Sequence, residues 1–512
     1  MQNTRYARSG MVCSVDHLAS SAGITMLDRG GSAADAAIAT NAVLTVTAPH
    51  MCGLGGDLFA LVHDGRVATL NASGRAGSGA DAARLRAEGH TRMPHLHDIR
   101  SVPVPGCVDG WTALHGRYGR LPLADVLAPA IRLAEGGFPA SPLMLAGARA
   151  AAQRPGGGDF ASAGAAGDLV TRPGVARTLK AIAASGRDGF YLGEFGQGLL
   201  ETGAGEYLEA DLARVNADWV EPLRVRAFGH DVWSAPPNSQ GYLLLLALGI
   251  ADGLDLPVEP GRSAWAHLLT EAARVAGHDR LAVLHEDAKD LLGEHEIARR
   301  RALVNPSARV RLAAPAADGD TTYLCAVDEQ GMGVSLIQSN ASGFGSMVFE
   351  PRTGINLHNR GIGFSLTPGH PAEYAPGRRP PHTLTPALIT RPDGSLRSVV
   401  GTMGGDAQPQ ILLQVVTRLL RYGQAPGEAV SAPRWKLGGT TGFDTWDAPD
   451  ESVVEVEEGT HWPDGLEALG HPVARRPYGT GFGHAHLIDV RPDGTLAGAA
   501  DPRSLIGAAI GR

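Results

Sequence analysis

Apolar and polar positions along this chain follow two rhythms, and they change over near residue 321. Between residues 33 and 49, AADAAIATNAVLTVTAP is apolar nearly all round. A helix without a polar face belongs inside a core rather than on a surface. Ser32 stands ahead of it as an N-cap and Pro49 ends it. The glycine-rich MCGLGGD (51–57) follows, then LFALVHDG, a strand pattern running into an Asp-Gly turn. LNASGRAG (70–77) continues the strand and turn. Pro105-Gly106 reads as a turn, with a helix from about 108 and another through DVLAPAIRLAEG (125–136). Most of 140–310 has helical spacing. The exception is VRAFGHDVWSAPPNSQG (225–241), which reads as extended chain ending in a turn.

Residues 305–320 (NPSARVRLAAPAADGD) lack apolar periodicity and read as a flexible loop. After them a period of two takes over. TTYLCAV, the turn DEQG and MGVSLIQS predict a β-hairpin. TLTPALIT and LRSVVGT predict further strands, 407–423 a helix, and VVEVEEG and HAHLIDVRPDGTLAGAADPRS short strands. Helices first and strands later, with mixed pairs near the end, predict an α+β or αββα layered architecture. No short-period repeat is visible.

The chain of 512 residues suffices for one large layered domain or for two to three ordinary ones. Its 68 glycines and 34 prolines are spread throughout and predict tight turns rather than disorder. The formal net charge is -8, and no run of Lys or Arg is long enough to neutralise several phosphates. Arg299-Arg300-Arg301 ends what reads as a surface helix, so nucleic acid is not an expected partner. The longest apolar run, 242–251, is about half of what a membrane span needs, and the N-terminal residues hold no apolar export signal. Cys13, Cys52, Cys107 and Cys325 are widely separated, without CxxC or Cys/His metal spacing. They are expected to be small buried side chains of a reduced, cytoplasmic protein.

Candidate chemistry lies at the changeover. Gly319-Asp320-Thr321-Thr322-Tyr323 sits between the loop and the first strand of the hairpin. One reading is an ordinary strand entry, since Thr favours strands and Asp favours their starts. The other begins with a cut before Thr321. The new α-amine would have a reference pKa of about 8. It could accept the proton of its own hydroxyl, making one residue both nucleophile and base.

The segment GDTTYLCAVDEQGMGVSLIQSNASGFGSMVFEPRTGINLHNRG (319–361) strongly resembles the start of the small subunit of gamma-glutamyltransferases and their amidase-like relatives. The resemblance covers nearly the whole chain. GGSAADAAIATNAVLTVTAPHMCGLGGDLFALVHDG, VPGCVDGW, GRYGRLPLADVLAPAIRLAEGGFP, APPNSQG, LTEAARVAGHDR, GTMGGD and ADPRS are similar to further family blocks, in the family's order. The resemblance implies an N-terminal-nucleophile αββα sandwich and autoproteolysis between Asp320 and Thr321. Residues 1–320 would form a large subunit and 321–512 a small one, paired as a heterodimer. It implies no metal and no organic cofactor, and it leaves a higher oligomer open.

Carried over position by position, Thr321 matches the family nucleophile. Arg75 matches the arginine that binds the substrate carboxylate, a task suited to a guanidinium fork. Gly404 and Gly405 match the glycines whose N–H groups form the oxyanion hole. Ser339 matches a threonine whose hydroxyl contacts the nucleophile. Asn340 lies beside it, one position before the family's asparagine, where this chain has Ala341. Two departures bear on substrate. The acid that binds the α-ammonium of a γ-glutamyl group is Gly363 here, and a nearby glutamine is Arg360. The paired serines that hold the α-carboxylate are His382 and Thr383. These changes resemble the amidase-like branch that includes oxamate amidohydrolase. They imply hydrolysis of a small-molecule amide whose acyl group bears a carboxylate but no neighbouring ammonium. A γ-glutamyl hydrolase or transpeptidase, a C–C bond hydrolase releasing an oxalyl fragment, and a non-catalytic relative remain open as alternatives.

Overall fold

The computed structural model describes residues 3–312, 320–438, 445–446 and 452–512, with Asp320 described through its backbone. Two seven-stranded sheets organise the chain, and every neighbouring pair of strands within them is antiparallel. The first runs, in spatial order, Arg5–Ala7, Leu496–Ala499, Ala485–Val490, Leu396–Thr402, Ala387–Thr390, His230–Ser234 and Leu223–Ala227. The second runs Ala508–Gly511, Gly10–Ser14, Asp320–Asp328, Gly333–Ala341, Asp57–His63, Val67–Ala72 and Asp218–Val220.

The period-two rhythm explains how these sheets stack. Along the Thr321 strand, Tyr323, Cys325 and Val327 point into an apolar layer shared with Leu388, Val399 and Ile488 of the first sheet. Leu324 and Ala326, on the alternate face, pack instead among the helices that cover the second sheet. The outer face of the first sheet offers Val232, Ala387, Ile389 and Val400 to another helical layer. The result is helices, sheet, sheet, helices. Both faces of the central strands are buried, which explains why the hairpin is apolar at nearly every position.

The apolar stretch after Ser32 forms helix Ala33–Thr47, buried along its whole length. Ser32 Oγ accepts from Asp35 N and the Asp35 carboxylate accepts from Ser32 N, a reciprocal N-terminal cap. The expected hairpin is present, with Val327 opposite Gly333. The expected helix at 407–423 spans Gln408–Tyr422. The segment 225–241 contributes a complete hairpin, Leu223–Ala227 with His230–Ser234, to the first sheet. The stretch 140–310 therefore supplies edge strands to both sheets as well as helices. TLTPALIT is extended only from Ala387, and its first residues line the site described below. Most of the loop expected at 305–320, including Gly319, lies outside the described residues.

Each sheet contains strands from both sides of the Asp320–Thr321 bond, those from one side flanked by those from the other. The two stretches thus share one core rather than forming separate folding units. All four cysteines are buried and free. No helix among the described residues is long and apolar enough to cross a membrane.

Candidate active site

Thr321 sits where the ladder slips. Asp320 pairs with Ala341 and Thr322 with Gln338, so one residue, Thr321, faces two, Ser339 and Asn340. Such a bulge bends one strand and re-aims a side chain, and Ala341 completes it at φ +71°. The slip lets the hydroxyls meet: Thr321 Oγ1 donates to Ser339 Oγ at 3.2 Å. Gln408 Nε2 donates to Thr321 Oγ1 at 3.0 Å from the first turn of its helix. Thr321, Ser339 and Gln408 are all fully buried.

Ser339 is the hub. Its Oγ also accepts from Arg360 Nη2 at 3.0 Å and from Ala341 N at 2.8 Å. Arg360 in turn donates through Nη1 to Thr383 Oγ1 at 3.0 Å. A continuous hydrogen-bonded path therefore runs Thr321, Ser339, Arg360, Thr383. Arg360 is 1% exposed, so its charge is felt in a poorly screened interior.

Gly404 and Gly405 lie at the end of strand Leu396–Thr402, just before the helix carrying Gln408. Their φ values of +135° and +56° suit glycine. Gln240 Nε2 ties this turn to the other wall, donating to Gly405 O at 3.1 Å and Thr383 O at 2.8 Å. A helix N-terminus with N–H groups exposed at its entry favours a developing negative charge. Behind the turn, buried Asp406 meets Arg280 at 3.4 Å.

The remaining sequence candidates occupy supporting positions. Asn340 turns its amide to Pro49 O at 3.0 Å and Gly343 O at 3.3 Å, bracing the glycine-rich loop instead of facing Thr321. That loop needs its glycines: a Cβ on Gly56 would lie 2.4 Å from Ser339 O. His382 is fully buried with both ring nitrogens committed. Nε2 donates to Asp57 Oδ2 at 3.1 Å, and Nδ1 accepts from Leu384 N at 3.3 Å. Burial, and then the charge of Arg360, lower its pKa to about 3, so it is neutral. Burial pushes the Asp57 carboxyl up, but His358 and the hydrogen bonds from His382 and Gly74 N outweigh it and hold the pKa at about 2. In this structure the hydrogen-bonding capacity of His382, expected from the sequence as a substrate contact, is used inside the protein. Arg75 pairs with Glu286 at 3.2 Å and Asp218 at 3.6 Å, and donates to Gly377 O at 3.1 Å. These partners hold it outside the Thr321–Thr383 path.

A cavity of about 720 Å³ opens beside Arg360 and Thr383. Gly363 lies in its wall, with Arg92 and Arg280, and among the described residues no Asp or Glu lines it. A Cβ on Gly363 would lie 2.4 Å from Pro381 O, so close main-chain packing accounts for the glycine.

The family profile described as Gamma-glutamyltranspeptidase matches residues 19–511. The chain belongs to the gamma-glutamyltranspeptidase family. It is 37% identical to the Glutathione hydrolase-like YwrD proenzyme of Bacillus subtilis (strain 168), over 98% of each chain. It is 34% identical to the Oxamate amidohydrolase proenzyme of Klebsiella pneumoniae subsp. pneumoniae, over 100% of each. Cephalosporin acylase from Bacillus halodurans has the same fold, with a TM-score of 0.91 at 34% identity, covering 100% of this chain and 97% of that one. The protein is thus an N-terminal-nucleophile hydrolase of this family, an amide hydrolase or acyltransferase, and the layered fold expected from the sequence is present.

Of the site's polar residues, Gln408, Gln240 and Asp57 escaped sequence reasoning. All three lie within or beside blocks carrying the resemblance: GTMGGD, APPNSQG and MCGLGGD. Nothing in their spacing marks them as neighbours of Thr321.

Proposed function

We propose that this protein is a self-processing N-terminal-threonine amidohydrolase. Its substrates are amides whose acyl half carries a carboxylate and no adjacent ammonium, with oxamate the smallest example. The observation that carries this reading is Arg360, a buried cation one hydroxyl away from Thr321 and in the wall of a cavity that no carboxylate lines among the described residues.

In maturation, Thr321 Oγ attacks the Asp320 carbonyl carbon. The peptide C–N bond breaks, its nitrogen keeps its own hydrogen and takes the proton that Oγ loses to become the new α-amine, and water hydrolyses the ester that remains. Fragments 1–320 and 321–512 stay joined through the shared sheets. The relatives' names as proenzymes agree with this step. In turnover the α-amine, with a reference pKa of about 8, takes the hydroxyl proton as Oγ attacks the amide carbonyl. Gly404 and Gly405 N–H stabilise the oxyanion. The amine product leaves with that proton, and water releases the acid. Gln408 and Ser339 hold the threonine hydroxyl in line, and Arg360 meets the acyl carboxylate.

A γ-glutamyl group would bring an ammonium to a wall that offers it arginine and no acid. An unpaired ion at such a site typically costs about 2–5 kcal/mol in recognition. The test compares kcat/KM of the matured protein for oxamate and for a γ-glutamyl amide. Oxamate is expected to be the better substrate, and preference for the γ-glutamyl amide overturns the reading.

A further inference from the structure

The cavity is much larger than oxamate requires. Water occupies about 30 Å³ per molecule in the liquid, so a cavity of about 720 Å³ has room for roughly twenty of them. A two-carbon acid reaching Arg360 leaves most of that volume empty. Cavities of this size ordinarily enclose a drug-sized ligand against apolar walls.

The walls here have that character. Met93, Leu281, Leu284, Phe364 and Leu366 line the interior, contributed by three separate segments. Arginine supplies the charge at the wall, with Arg360 at the end that joins the Thr321 path. The lining is therefore apolar and cationic together. Hydroxyls of Thr91, Ser365, Thr367 and Thr383 add neutral polar groups, and among the described residues no carboxylate stands ready for a cation.

The direction of binding follows from the hydrogen-bonded path. Thr383 and Arg360 belong both to the cavity wall and to the chain that reaches Thr321. A short acyl half places its carboxylate by Arg360; a longer one runs from Thr321 into the cavity with its carboxylate toward the wall arginines, while the amine half departs elsewhere. We infer that the acyl half of the physiological substrate is an amphipathic carboxylate, with an aliphatic or aromatic body well beyond oxalyl in size. This rests on the amidohydrolase reading above.

The experiment uses the matured full-length protein and p-nitroanilides that share one amine and differ only in the acyl half: oxalyl, glutaryl, suberyl, and the uncharged phenylacetyl. One added methylene in a fitted apolar pocket is worth about 10-fold or more in kcat/KM. The suberyl anilide is expected to exceed oxalyl by at least about that factor. Oxalyl equal to or better than suberyl overturns the size inference and leaves the carboxylate reading standing. Phenylacetyl as good as the carboxylated anilides, or no turnover of any of them, overturns the carboxylate reading itself. Leu281→Trp, which fills part of the cavity, should lower the suberyl-to-oxalyl ratio by about tenfold. An unchanged ratio in that variant also counts against the inference, and the wild-type panel decides it if the variant does not fold.

Discussion

Replacing Ser339 by alanine is the most informative single perturbation of this site. The change removes one oxygen and with it three hydrogen bonds: from Thr321 Oγ1 at 3.2 Å, Arg360 Nη2 at 3.0 Å and Ala341 N at 2.8 Å. The two neutral bonds are worth about 0.5–1.5 kcal/mol each and the charged one about 1.5–3. All of the groups are buried, so water does not readily replace the lost acceptor. Ser339→Ala should therefore lose about 3–5 kcal/mol of local stabilisation, concentrated on the nucleophile and the bulge. Misdirection of Thr321 by even half of that, about 1.5–2.5 kcal/mol, corresponds to a fall of roughly 10- to 70-fold in kcat. Two assays read it: the rate at which the purified precursor splits, followed on a gel, and the kcat of the matured enzyme. Ser339→Thr keeps the oxygen and should restore most of both rates. Precursor splitting and turnover within twofold of wild type in a folded Ser339→Ala protein would falsify the reasoning.

Gln408→Leu removes the donor 3.0 Å from Thr321 Oγ1, and kcat should fall about tenfold, measured by steady-state kinetics. Arg360→Gln should cut kcat/KM for a carboxylated anilide by about 30-fold or more, while a neutral acyl anilide loses far less; equal losses would show that Arg360 only shapes the wall. Acid should destabilise the protein early. His50, His382 and His486 have pKa values lowered to about 3 and His484 to about 4, burial being the first cause of each. On acidification the unfolded chain takes up these protons first, near pH 6.5. Stability is thus fully present above pH 6.5 and declines as pH falls toward 3, by about 1.4 kcal/mol per pH unit for each such histidine. Thermal unfolding scans at pH 7 and pH 5 check this, and equal midpoints would contradict it.

Where the amino-acid pattern bears on one element at a time, the sequence was legible. The helix at 33–47 announces itself by its apolar surface and Ser32, and the Thr321 hairpin by its alternation. Those signals are local, and so is their physics. The resemblance then located Thr321, Ser339 and the 404–405 turn within one architecture. What stayed hidden depends on partners distant in the chain. His382 looks like a free imidazole until Asp57 is placed 3.1 Å from it. Arg75 looks available until Glu286 and Asp218 arrive. The bulge opposite Thr321 comes from a pairing register that no single strand encodes. Gly363 carries a similar lesson. Its lack of an acid reads as a change of substrate, yet Pro381 O leaves no room there for any side chain. Reinstating an acid at that position would disturb the main chain, so substrate variation is a cleaner probe than Gly363→Asp.

The central claim is that Thr321 becomes the N-terminal nucleophile, and intact mass with N-terminal sequencing of the purified protein tests it most directly. By share of residues, the 53.2 kDa chain should yield fragments of about 33 and about 20 kDa, the smaller beginning Thr321-Thr322-Tyr323. Thr321→Ala should remain a single chain without activity. A small fragment starting at any other residue, or a Thr321→Ala protein that still splits before position 321, would contradict the account.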